Sequence, residues 1–334
     1  MKTPLRSLPL AAIRCLPLLA LCAAPALAQQ PAKADSAFPT RPITLIVSFP
    51  AGAGADLTAR TVAQKLTESM GQSVVVDNRA GANGILGTSA VAKAAPDGYT
   101  ILLTDRGALG INPSTYKKLA YDPLKDFEYI SIAAVGPYVL AVKNDLPVKN
   151  YAEFMQMAKV QPGKINYASF GVGSMPQLNM EAFKAKQSVN LTHVPYKGGA
   201  QAVAGLLTGE VDVALLTAPS LLGPMKSGKV RALAITGKTR SANFPDVPTF
   251  AEVGLASFEL SGTWGLIAPA GVPADRVAIL SNALAEAVKD PAVRDALVAQ
   301  GIDPEPASGA EYGAVLARES DKWSKVIDEA KIKL

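Results

Sequence analysis

Residues 44–66 read TLIVSFPAGAGADLTARTVAQKL, and this stretch decides the fold class. An apolar, β-rich run from Ile43 to Phe49 stops at Pro50. Ala59, Val62, Ala63, Leu66 and Met70 then recur every three or four residues, the period of one buried helix face. Gly71 closes that helix. Between strand and helix lie Ala51, Gly52, Ala53, Gly54 and Ala55, followed by Asp56. A turn so poor in side chains lets a ligand approach the backbone closely. The open N–H groups and the dipole of a helix starting near Asp56 favour a negative charge. The loop from Phe49 to Asp56 is therefore expected to hold an anion by main chain. The plainer alternative is a tight turn with Asp56 as helix N-cap. If Asp56 faces a ligand, it suits an ammonium group. Named nucleotide loops do not fit: no Gly-Lys-Ser/Thr follows here, and Leu57 stands where G-x-G-x-x-G needs a small residue.

The same alternation continues along the chain. Residues 74–76, 99–104, 165–168, 191–195, 211–216 and 230–236 read as short apolar strands, and 84–92, 178–183 and 202–207 as helices. This order predicts an α/β fold with parallel sheets covered on both faces. Beyond residue 273 three helices are expected (273–288, 291–300 and 309–329), with no strand between them. Pro273 and Pro291 suit first-turn positions, and Ser308 with Glu311 fits a capping box. These helices need an earlier sheet to pack on. Two sheets follow, joined by crossing segments at 129–143 and 258–268. One domain is then discontinuous, 38–136 plus 262–334, and the other is 137–261. Trp264, on the second crossing, reads as a core aromatic, with a cleft-lining position as the alternative.

Parallel α/β sheets bind ligands beyond the carboxyl ends of their strands, near the switch point. Residues 167–178, YASFGVGSMPQL, repeat the logic of the first loop: a strand end, Ser169, Gly171, Gly173 and Ser174, then a helix carrying Gln177. Residues 193–201, HVPYKGGAQ, supply a third such turn, with Tyr196 in it. The third strand ends in TDRGALGINP. Strands one and three flank the switch point, so Arg106 is expected beside the first loop. There it is suited to grip a second carboxylate through two parallel hydrogen bonds. The alternative is an ion pair with Asp105.

The first 28 residues carry Lys2, Arg6 and Arg14, then CLPLLALCAAPALA, closing on Ala26-Leu27-Ala28. That is the pattern of a cleaved secretory signal. The apolar run falls short of the roughly 20 residues a membrane span needs. Leu21 stands before Cys22 where a lipoprotein signal wants a small residue. Residues 29–37 read as a flexible leader. Both cysteines, Cys15 and Cys22, lie in the signal, so the exported chain has no thiol, disulfide or thiolate ligand. Without Lys2, Arg6 and Arg14, 30 basic residues face 28 acidic ones, and the net charge falls from +5 to +2. The charges are interspersed, which argues against a nucleic-acid partner. One histidine, His193, excludes a histidine- or cysteine-based zinc site. His193 lies in an apolar strand without a G-x-S-x-G partner, so it reads as structural. No cofactor and no enzymatic activity are expected.

The motifs RPITLIVSFPAGAGADLTAR, NRAGANGILGT, APDGYT, YDPLKDF, HVPYKGG, SGKVRALAIT, DVPTFAEVG and GLIAPAGVP occur in this order. Across residues 39–334 the chain resembles the Bug/TctC family of periplasmic solute-binding proteins, which serve tripartite tricarboxylate transporters. The resemblance implies a type II periplasmic-binding-protein fold that closes on a small ligand, usually a carboxylate. It implies ligand contacts from the loops at 49–56 and 169–174, largely through backbone groups and bridging waters. It also implies permease subunits as partners, and a monomer is expected. A ligand-sensing partner of a membrane signalling receptor is the other function such a binder serves. Ser48 and Ala53 stand where the family often has proline and glycine, and Gln177 where histidine is frequent. These departures leave the ligand open.

Overall fold

The structure is a computed structural model that describes residues 38–256, 258 and 260–329. The signal (1–28) and the leader (29–37) lie outside the described residues. The chain forms a mixed α/β fold.

Strand β1 (Ile43–Val47) leads through the small-residue loop into α1 (Gly54–Met70). Ala55, Ala59, Val62, Ala63 and Leu66 form its buried face. Each such valine or leucine contributes roughly 1.5–3 kcal/mol on burial. Gly71 ends the helix at φ 66°, in the left-handed region that favours glycine. Next come β2 (Val74–Asn78), α2 (Ile85–Ala92) and β3 (Thr100–Asp105). A π-helical turn (Gly107–Ile111) and the short α3 (Asn112–Thr115) follow. β1 pairs in parallel with both β2 and β3.

The long β4 (Phe127–Lys143) is the crossing segment anticipated at 129–143, while β9 (Ser261–Pro269), in the segment anticipated at 258–268, pairs only within the first group of strands. β9 pairs antiparallel with β3 and with the first part of β4, as far as Pro137 opposite Ser261. From Tyr138 onward β4 pairs instead with β7 (Val213–Thr217) and β8 (Val230–Ile235), both antiparallel. β5 (Asn166–Ser169) lies parallel to β7 and to β6 (Thr192–Pro195). The strand path is β2-β1-β3-β9-β4-β7-β5-β6, with β8 and β10 (Asp303–Ser308) also on β4. Sheets of one direction were expected. The antiparallel pairs arise because β4 and β9 run against the parallel strands beside them.

The side chains of β4 alternate between two cores. Tyr138, Leu140 and Val142 join a cluster with Phe154, Tyr167, Phe183 and Phe250. Val139 and Ala141 join another with Ala202, Leu206 and Leu216. That period of two means helices cover both faces here. They are α4 (Tyr151–Val160), α5 (Met175–Gln187), α6 (Gly199–Thr208) and α7 (Ala218–Lys226).

The C-terminal region departs from expectation in two ways. Between α9 (Pro291–Ala299) and α10 (Gly309–Glu329) runs β10, antiparallel to β4. Its sequence DPEPAS hides a strand because proline cannot donate to a ladder. β10 tolerates Pro304 and Pro306 as an edge, with a register shift between Pro304 and Ala307. α8 (Ala274–Lys289) starts after Pro273, which is its N-cap, while Pro291 does sit in the first turn of α9. Second, α10 serves two cores. Tyr312 and Leu316 pack with Ile46, Leu102 and Ile267, whereas Trp323 and Ile327 join the cluster of Tyr138 and Phe183. The capping box is present: Ser308 N donates to Glu311 Oε2 (2.8 Å), and Glu311 N to Ser308 Oγ (3.2 Å).

Candidate functional site

α1 begins at Gly54, with Ala53 as its N-cap and no side-chain cap. Asp56 is therefore not the N-cap. It sits in the first turn, 2 % exposed, and ties the preceding loop down. Its carboxylate accepts from Gly52 N (2.9 Å), Asn78 Nδ2 (2.9 Å) and Arg60 Nε (3.1 Å). Burial acts to raise the carboxyl's pKa. The Gly52 amide, Arg60 and Asn78 outweigh it and hold the pKa below the ordinary value. Asn78 also donates to Phe49 O (3.1 Å). The loop is thus strapped at both ends, and Asp56 is committed to it.

Gly54 is required by its neighbour. A Cβ there would sit 2.2 Å from the ring of Trp264. The indole, 4 % exposed, also lies against Gly136 and Gly262. Three glycines from α1, β4 and β9 thus cradle one ring where those two strands meet the loop. Gly52 is required for a different reason, its φ of 81°.

The second loop is organised in the same way. Ser169 Oγ lies 2.6 Å from His193 Nε2 and accepts from Gly171 N (3.1 Å). Ser174 Oγ donates to Gly171 O (2.6 Å), and Gly173 N donates to Gln177 Oε1 (2.6 Å). These side chains shape the loop from within. Burial lowers the pKa of His193, with Glu181 opposing and Lys184 adding to the effect. The imidazole stacks on Tyr167 at 4.9 Å between centroids. Ser169 is fully buried, while His193 is half-buried. Sequence reading treated these two residues separately. Their pairing depends on the parallel register of β5 on β6, which sets Tyr167 opposite His193 and Ser169 opposite Pro195, and no local sequence signal marks that register.

Ser174 is the N-cap residue of α5 and Gly198 that of α6, again without side-chain cap hydrogen bonds. Asn150 caps α4 and Asp290 caps α9, whereas α2, α7 and α8 lack side-chain caps as α1, α5 and α6 do, so it is the small-residue loops leading into α1 and α5 that set those two apart. The starts of α1, α5 and α6 thus rely on backbone N–H groups that no capping side chain occupies, the arrangement that favours an anion.

The predicted residues divide into three groups. Phe49, Ala51, Gly52, Ala53, Gly54 and Asp56 form the first loop, and Ser169, Gly171, Gly173, Ser174 and Gln177 the second. Contacts join the two neighbourhoods. Asn83 Nδ2 donates to Gly173 O (3.3 Å), and a Cβ on Gly107 would lie 2.9 Å from Met175 Cγ. Tyr196 contributes only backbone to the second loop, its N–H donating to Ser169 O (3.1 Å). Its phenol turns back over Gly205 of α6. Arg106 does follow a strand adjacent to β1, but its side chain points elsewhere. Its Nη2 donates to Ser261 O (2.5 Å). It lines a cavity of about 710 Å³ with Thr236, Lys238, Arg240, Leu260 and Arg318, which contains no residue of either loop. Asp105 accepts from Ala108 N (3.0 Å) instead, and burial pushes its pKa up to about 6 against the Ala108 and Gly107 amides and the Arg106 charge.

Among the described residues no cluster of histidine, cysteine or carboxylates is placed to hold a metal, and no helix is long and apolar enough to cross a membrane.

Residues 58–332 match the family described as the tripartite tricarboxylate transporter family receptor. The protein BugT of Bordetella pertussis is 37 % identical over 305 residues, 91 % of this chain and 93 % of BugT. Two solved structures share the fold closely. Rpa4515 of R. palustris, determined with adipate, is 33 % identical with a TM-score of 0.84, covering 89 % of this chain and 99 % of that one. MatC from Rhodopseudomonas palustris, with bound malate, is 30 % identical with a TM-score of 0.78, covering 87 % of this chain and 100 % of that one. These relatives are binding receptors rather than enzymes. The chain belongs to the TctC family of tripartite tricarboxylate transporter receptors, whose members include the Bug proteins.

Proposed function

We propose that this protein is a periplasmic receptor that captures a small organic carboxylate between two lobes and delivers it to the permease subunits of a tripartite tricarboxylate transporter. It is exported after removal of residues 1–28 and works as a monomer. The lobes are 38–136 plus 262–334 and 137–261. The change of β4's partners between Pro137 and Tyr138 supports that hinge. The end of α10 belongs by sequence to the first lobe, and its Trp323 and Ile327 pack on the core of the second.

One observation carries the reading. The loops at 49–56 and 169–174 are braced by their own side chains and followed by helices without side-chain caps, which leaves main-chain amides to meet an anion. The bound adipate and malate of the two relatives support the ligand class. Arg106 is not part of the ligand set we propose, and neither is the Tyr196 phenol.

A thermal-melt panel of mono-, di- and tricarboxylates on ligand-free protein tests this. A matching ligand at 100 times its Kd adds about 2.7 kcal/mol, a rise of several degrees. Absence of any shift across the panel would remove the carboxylate assignment.

A further inference from the structure

Residues 81–84, within NRAGANG, hold four consecutive positive φ angles: Gly81 144°, Ala82 47°, Asn83 51° and Gly84 85°. For Ala82 this region is unfavourable, and asparagine is among the few residues that tolerate it. Such conformations persist where the surroundings over-determine them, often at functional sites. Here the turn delivers one side chain. Asn83 Nδ2 donates to Asn112 Oδ1 (2.7 Å) and to Gly173 O (3.3 Å).

The amide orientations follow from the network. Asn112 is fully buried, and its Nδ2 donates to the Asn83 carbonyl (3.0 Å) and to Tyr121 OH (3.2 Å). A backbone carbonyl only accepts, so Asn112 Nδ2 must face it, and Asn112 Oδ1 must face Asn83. That fixes Asn83 Nδ2 toward Asn112. Tyr121 OH in turn donates to Ala108 O in the π-helical turn. The second N–H of Asn83 is then aimed at Gly173, across the gap between the first half of the sheet and the loop that opens α5.

We propose that Asn83 is a positioning residue, a latch whose amide bonds the Gly173 carbonyl only when the two lobes are closed. This rests on the two-lobe reading above. The latch touches loop backbone rather than ligand. It therefore slows reopening by the same factor whichever carboxylate is bound, and selectivity stays with the loops.

Asn83→Gly is the decisive variant, because glycine accepts φ 51° without strain and removes only the amide. Asn83→Asp sets a carboxylate against the Gly173 carbonyl and Asn112 Oδ1. The exported chain lacks cysteine, so Val75→Cys and Val160→Cys, at exposed sites of β2 and α4, accept spin labels cleanly. Pulsed distance measurements then report the closed fraction without ligand and with adipate or malate. Loss of one hydrogen bond corresponds to about a two- to tenfold fall in the closed-to-open ratio, with Asp below Gly. For each acid that binds, dissociation should quicken by one common factor. Identical distance distributions in wild type and Asn83→Gly, with and without the acids, would overturn the latch. So would a factor that differs between adipate and malate. A wild-type protein that melts unchanged across the panel would sink the carboxylate reading instead, and the two failures are separable.

Discussion

Asp56→Asn separates a brace from a ligand contact. The wild-type carboxylate accepts Gly52 N, Asn78 Nδ2 and Arg60 Nε at 2.9–3.1 Å, at a residue 2 % exposed. An asparagine keeps one oxygen and replaces the other with a donor. Either placement sets N–H against N–H, toward Gly52 or toward Asn78. A buried donor left unmatched costs about 1–3 kcal/mol, and loss of charge assistance on the remaining bond adds about 1. The Arg60 side chain is 54 % exposed, so its pairing contributes little after solvent screening. The expected loss is about 3 kcal/mol at pH 7.5, measured by urea unfolding. The folded pKa of Asp56 is lowered, so its contribution is present above the unfolded pKa and is lost as pH falls through the folded value. The gap between wild type and Asp56→Asn should therefore narrow below about pH 4. Unchanged stability at pH 7.5 with abolished carboxylate binding would refute the brace and return Asp56 to the ligand.

Asp105→Asn has the opposite sign. Its folded pKa is raised to about 6, so the favourable protonated state is complete below the unfolded value and lost as pH rises through 6. The neutral variant should gain on wild type between pH 4 and 7, by about 1–3 kcal/mol, a range discounted because the residue keeps partial exposure. A difference in melting temperature that does not vary with pH would count against this. Arg106→Ala removes the bond to Ser261 O at the start of β9. It is expected to cost about 1–3 kcal/mol of stability while changing carboxylate affinity less than threefold by calorimetry. A tenfold loss of affinity in a variant of normal stability would place the guanidinium on the ligand.

The sequence by itself determined the strand–helix alternation, the long crossing strand at 129–143 and the two small-residue loops. Each is a local signal: hydrophobic period, glycine placement and helix-start chemistry act within a few residues. It also determined the capping box at Ser308, whose partners are three positions apart. Tertiary structure decided what those signals leave open. β10 was hidden because its prolines disqualify a central strand, and only its edge position on β4 makes them harmless. The glycine at 54 reads as permissive in sequence, yet the indole of Trp264, 210 positions away, makes it obligatory. Asp56 reads as a cap, but Asn78 on the neighbouring strand turns it into a brace. Arg106 reads as a ligand group because it follows the right strand, and sequence does not encode the direction of a long side chain that Ser261 claims. The Asn83–Asn112 network escaped notice for the same reason. Its members are 29 and 90 positions from their partners, and only a folded backbone with left-handed residues at 82 and 83 brings them within reach.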